Sequence, residues 1–242
     1  MLFKSQVYTQ ASGSIGGITY SHNKAGMYTR GRSIPVNPNT GKQTIVRSAM
    51  TELVNAWTND LSDAQRTAWN LYASNVPVVN ALGDAVNRSG QNWYIGSNVP
   101  RLQLLNTPGL AFLPTRVDAG PTTFDRGNFI TPPITASATS GVEATIDDPS
   151  GWVDEDQSWM ILYMGKPQNS TINYFKGPWR IIDAAEGDTM APPAQILSLP
   201  AITAALAWPL VAGQYVWFKV NVARADGRYS TPRIVGPIQV GA

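Results

Sequence analysis

The 242-residue chain has no cysteine and a single histidine, His22. Disulfides, thiolate nucleophiles and cysteine-rich zinc sites are therefore excluded. A Ser-His-Asp triad or an imidazole-ligated metal would have to be built on His22 alone. Charge is also scarce, at 14% of residues, where about a quarter is usual. A surface this poor in charge suits a protein largely covered by neighbours. No stretch of about 20 apolar residues occurs, so no membrane-spanning helix and no membrane partner is expected. The first ten residues hold one lysine and no apolar run of signal-peptide length, so synthesis in the cytoplasm is expected. No acidic residue precedes Glu52.

The charge that is present is unevenly placed. Residues 1–101 carry nine Lys/Arg against four acids, and residues 102–242 carry nine against twelve. A basic arm ahead of a mildly acidic body fits a chain that docks on an acidic surface. Lys24, Tyr28, Arg30, Arg32, Lys42 and Arg47 are the candidate docking residues. With Tyr20 they could also meet nucleic acid through phosphate charge and base stacking. The charge density favours protein docking over nucleic acid.

Along the chain, Ile18, Tyr20 and His22 alternate with Thr19 and Ser21, and Tyr28, Arg30 and Arg32 share a side of a second strand pattern. Residues 23–26 supply turn chemistry between them. The reading is a small β-hairpin, which is marginal alone in water. Pro35 and Pro38 make 33–41 an extended link. Thr40 with Gln43 and Ser62 with Gln65 fit capping boxes. Val46, Met50, Leu53 and Trp57 recur at helical spacing, as do Ala68, Trp69, Tyr72 and Val76. So tight a pair should lie antiparallel, with Trp57 and Trp69 at the contact. A third helical piece is expected from near Ser89, with Trp93, Ile95, Leu102 and Leu105 facing the same way and Gly96 and Pro100 against it.

Pro, Gly and Thr enrich 107–133, read as a linker. Strands are expected at 134–138, 142–146, 158–164, 179–183, 195–199, 215–224 and 233–240, separated by turn clusters. The Asp226-Gly227 pair is a hairpin signal. Short strands with regular turns suggest a β-sandwich. The expected fold is α+β, with a basic arm and β-hairpin (1–34), a helical region (35–106), a Pro-rich linker (107–133) and a sandwich domain (134–242).

Other constellations lack the geometry for chemistry. His22 reads as a surface hairpin residue. Asp147, Asp148, Asp154, Glu155 and Asp156 form an acidic cluster without the regular ligand spacing of a calcium loop, and read as a solvated loop. Gly13, Gly16 and Gly17 are followed by a strand pattern rather than a helix, unlike a dinucleotide fingerprint, and read as close backbone packing or a bend. Of the eight tryptophans, Trp152, Trp179 and Trp208 lie near Gly or Pro, where a loop indole could grip a neighbour or a sugar.

Two resemblances follow from these residues. The strand 215–224, the turn 225–227 and Tyr229-Ser230-Thr231-Pro232 resemble the end of a fibronectin type III or immunoglobulin-like sandwich. The run GSIGGITYSHNKAGMYTRGR, then PVNPNTGKQ, the helix with Trp57, LSDAQRTAWNLYA and SGQNWYIGSN together resemble a family of uncharacterised tailed-phage and prophage proteins. That family resemblance implies a virion structural protein, present in many copies and partnered by itself and other virion proteins. It carries over no catalytic residue, so no enzyme activity, cofactor or small-molecule substrate is expected. The alternatives are a sandwich that grips a host glycan or receptor, and an arm that contacts the genome.

Overall fold

The structure, a computed structural model, describes residues 11–23, 26–34, 36–79, 83–104, 114–129, 131–145, 151–175, 177–190, 196–199 and 208–242. It divides into two compact units, Met1–Thr40 and Gly41–Ala242.

The first unit holds β1 (Gly13–Ile15), β2 (Ile18–Asn23) and β3 (Gly26–Gly31), hydrogen-bonded in that order. The expected hairpin thus gains a third strand. Ile15 pairs with Ile18 across Gly16 and Gly17, and Gly16 has φ 57°. Left-handed backbone at a two-residue hairpin turn favours glycine, which explains that cluster without any ligand. Tyr28 and Arg30 face the same way, opposite Ser21 and Thr19, while Tyr20 pairs with Thr29 and His22 with Met27. Not one described side chain of this unit is buried. Ile34 and Val36 are largely exposed, as is Ile15 at 78%.

The second unit opens on α1 (Gly41–Asn59) and α2 (Asp63–Asn75), followed by the two-stranded ribbon of β4 (Val78–Val79) and β5 (Ala85–Val86) and by α3 (Gly90–Leu104). Ser62 caps α2 as expected. Its N–H donates to Gln65 Oε1 (2.8 Å), and the Gln65 N–H donates to Ser62 Oγ (3.3 Å). The face of α1 differs from the expected stripe. Ala49, Leu53 and Ala56 are buried, whereas Val46 and Met50 are about 40% exposed. The small alanines admit α3, which packs on both α1 and α2. The indoles of Trp57 and Trp69 accordingly both meet Tyr94 of α3, with ring centroids 5.6 and 5.7 Å away. The helices form a three-membered cluster rather than a two-helix hairpin.

Polar tips of this aromatic cluster select what covers it. The buried Trp69 indole donates to the Asp118 carbonyl (3.1 Å), and Tyr72 Oη donates to the Asp125 carbonyl (2.7 Å). Tyr94 Oη donates to Asp118 Oδ1 (3.0 Å). Asn98 grips the backbone of Val117 from both sides, at 3.0 and 2.8 Å. A Cβ at Gly120 would come within 2.7 Å of the α2 backbone, so only glycine fits there. The stretch expected as a linker therefore includes a strap, described over 114–129, seated on the helices by part-buried hydrogen bonds.

The remaining strands are β6 (Ile134–Ser137), β7 (Gly141–Thr145), β8 (Trp159–Gly165), β9 (Trp179–Glu186), β10 (Ile196–Leu199), β11 (Tyr215–Ala223) and β12 (Arg233–Gln239). They lie within a few residues of the expected positions. They form two antiparallel sheets, ordered β10-β7-β6 and β12-β11-β8-β9. One apolar core joins the sheets, through Ile134, Ala136, Val142 and Ala144 on one side and Met160, Leu162, Phe218 and Val220 on the other.

All seven residues of β8 are buried. Its alternate residues Trp159, Ile161 and Tyr163 point to the second face of the four-stranded sheet and pack with Ala184, Ala223 and Leu104 of α3. The smaller sheet thus covers one face of β8, and the end of α3 covers part of the other through Leu104. Arg101, fully buried one turn before Leu104, donates to the carbonyls of Gln157 (2.9 Å) and Arg224. Burial pulls its guanidinium pKa down to about 10. These contacts unite the helical region 35–106, from Gly41 onward, with the strands of 134–242 in one compact unit.

Trp69→Ala should cost about 3–5 kcal/mol in a urea titration, by loss of packing in a filled cluster. Tyr72 gives a second check. Burial raises its hydroxyl to about 12, against about 10 for an unfolded tyrosine. The neutral hydroxyl is the stabilising form, so its contribution is complete below about pH 10 and fades as the pH rises through about 12. Tyr72→Phe should make alkaline unfolding less steep, read from denaturation midpoints across that window.

Candidate docking surface

Lys42 and Arg47 lie exposed on the first two turns of α1. With Gln43 and Val46 they face Pro178, Trp179 and Arg180 at the start of β9, across a groove of about 410 Å³. Trp179 forms its aromatic floor and is fixed by Phe175, stacked at 4.1 Å with planes 14° apart. Arg180 is held over the Trp208 ring at 4.4 Å. The Lys42 ammonium pKa is lowered, first by burial and then by the Arg180 charge.

The basic character continues along the outer face of the four-stranded sheet. Lys219 Nζ sits 3.8 Å from the Tyr163 centroid and 5.7 Å from that of Trp179. Burial lowers its pKa. A second cleft, of about 280 Å³, is lined by Arg88, Arg126, Lys219, Trp93 and Tyr229 among others. Arg126 lies 4.8 Å and Arg88 5.8 Å from the Trp93 centroid. Arg126 is oriented by donation to the carbonyls of Tyr229 (3.0 Å) and Ser230 (3.3 Å). Among the described residues, no carboxylate lines either cleft. Guanidinium and ammonium groups held against aromatic rings, with no acid in the lining, are equipped to receive carboxylates or phosphates from outside.

The six residues singled out from sequence are divided by the structure. Tyr28 and Arg30 share one face of β3, and Arg32 follows it, its N–H donating to the Gly17 carbonyl (2.8 Å). Lys42 and Arg47 join the groove on α1, in the other unit. Lys24 lies outside the described residues. Sequence reasoning missed Arg180, Lys219, Arg126 and Arg88, which no local pattern distinguishes. Trp179 was visible as an indole beside a proline. Of the three loop tryptophans, Trp152 is buried and Trp208 is packed against the core under Arg180, which leaves Trp179 in a groove.

His22 lies exposed on β2. Asp147 and Asp148 lie outside the described residues. Glu155 turns inward to Arg224 (2.8 Å), while Asp154 and Asp156 are exposed. Among the described residues, no group of three or more His, Asp or Glu is arranged to hold a metal. No helix among them is long and apolar enough to cross a membrane. No family model, curated protein or solved structure matches the chain.

The groove predicts a reactivity difference. Because Arg180 favours the neutral amine of Lys42, Arg180→Gln should slow Lys42 acylation by an amine-reactive ester at mildly alkaline pH. Peptide mass spectrometry should leave the labelling of Lys166 unchanged in the same samples.

Proposed function

We propose that the chain is a non-enzymatic structural component of a tailed-phage particle, present in many copies. The N-terminal arm locks onto neighbouring subunits, and the two-sheet body bridges or decorates. The observation that carries this reading is the state of the first unit. It has a complete three-stranded hydrogen-bond ladder, yet none of its described side chains is buried. A ladder without a core is marginal in water and gains its apolar burial from another surface. Arg30 on that ladder and Arg32 just after it, with no acid before Glu52, suit an acidic partner face.

The body supports the fibronectin type III resemblance. Labelling β6, β7, β8, β9, β10, β11 and β12 as A, B, C, C′, E, F and G gives sheets E-B-A and G-F-C-C′, the strand order of that module. The chain departs from a free-standing module in that the end of α3 packs on the outer face of the larger sheet through Leu104. Modules of this architecture serve as spacers and displayed domains on surfaces, which suits decoration or bridging of a particle.

Deleting residues 1–34 should leave the melting of the remaining chain unchanged and remove it from purified particles. Normal incorporation of the truncated chain would defeat the arm's role. Salt-sensitive retention of the full chain on DNA would favour genome contact instead.

A further inference from the structure

The two ends of one edge strand carry opposite charge. β9 begins at the Lys42, Arg47, Trp179 and Arg180 groove and ends at Glu186. Its eight residues separate those ends by about 23 Å, at about 3.3 Å per residue.

The far end is acidic and constructed. Asp188 N–H donates to the Val153 carbonyl (2.9 Å), Gly187 N–H donates to the Ser158 carbonyl (3.0 Å), and Thr189 N–H donates to Asp156 Oδ1 (2.7 Å). These bonds bring Asp154, Asp156, Glu186 and Asp188 to one corner. The Glu186 carboxyl pKa is raised by burial and by the charges of Asp188 and Asp156. Crowded carboxylates at one end of the strand match crowded cations at the other, and each arrangement is relieved by a partner of opposite sign.

Extending the multi-copy reading above, on which it rests, we infer that copies of this chain associate head to tail, the Asp154–Asp156–Glu186–Asp188 corner of one seated in the Lys42–Arg47–Trp179–Arg180 groove of the next. Such a contact is heterologous, so repetition generates a ring or a stack rather than a closed two-fold dimer. Trp179 supplies the apolar anchor and the cations supply direction. Pairing of β9 edge to edge would instead set like charges against like if parallel, and would give a two-fold dimer if antiparallel.

Sedimentation velocity of the full chain tests the contact. At low ionic strength the wild-type chain should self-associate, and added salt should reverse it. Lys42→Glu/Arg47→Glu and Asp154→Lys/Glu186→Lys should each weaken self-association about tenfold or more. Mixing the two variants should restore association, because each supplies the end the other lacks. That restoration also shows both variants to be folded; the milder Asp154→Asn/Glu186→Gln should give a smaller loss in the same direction. A wild-type chain that stays monomeric at low salt, or variants that associate as strongly as wild type, would overturn the contact. So would normal entry of both charge-reversed variants into particles, an outcome that leaves the structural role standing. Absence of the wild-type chain from particles would instead remove the role itself.

Discussion

Strand β8 has no face to leave in water, and the second unit is arranged around that constraint. β8 is apolar on both sides, Met160, Leu162 and Met164 toward the smaller sheet and Trp159, Ile161 and Tyr163 away from it. Each such side chain is worth about 1.5–3 kcal/mol on burial. The smaller sheet covers one side, and the end of α3 covers part of the other through Leu104. Without that cover, the outer indole and tyrosine would add to an exposed apolar patch, an association hazard.

Covering a sheet with helices creates polar debts at the seam, and these are met chiefly by backbone carbonyls. Arg101 reaches two of them, and Trp69 and Tyr72 reach one each on the 114–129 strap. Buried donors without acceptors destabilise by about 1–3 kcal/mol each, so the strap has a single satisfactory seat. Arg224 and Arg228 pair at 2.8 and 2.7 Å with Glu155 and Asp125, fixing the turn after β11 to the strap and to the 151–158 loop. The same loop presents Asp154 and Asp156 outward. Internal pairing and external charge are thus set by one short segment.

The docking surfaces follow from what the core leaves over. Lys219 and Arg126 lie over rings, where burial lowers the pKa of each charged head. The groove beside α1 exists because the buried stripe of that helix is Ala49, Leu53 and Ala56, which turns Val46 and Arg47 toward β9.

Much of the α+β architecture is legible in the sequence because it rests on local signals. Strand-forming runs between turn clusters place the seven strands of the sheets to within a few residues, Ser62 and Gln65 start α2, and the alternation on either side of residues 23–26 marks the pairing of β2 with β3. The absence of cysteine and the single His22 limit the chemistry before any fold is known. Three features are decided only in three dimensions. The buried stripe of α1 shifts off Val46 and Met50 because α3 is admitted by small side chains. The Pro-rich stretch is partly a strap because its carbonyls meet Trp69 and Tyr72 from 49 and 53 residues away. The groove joins Lys42 and Arg47 to Trp179 and Arg180, more than a hundred positions apart. Periodicity and capping report a residue's neighbours within a turn or a strand. Which distant surface comes to lie opposite is settled by packing between elements far apart in the chain.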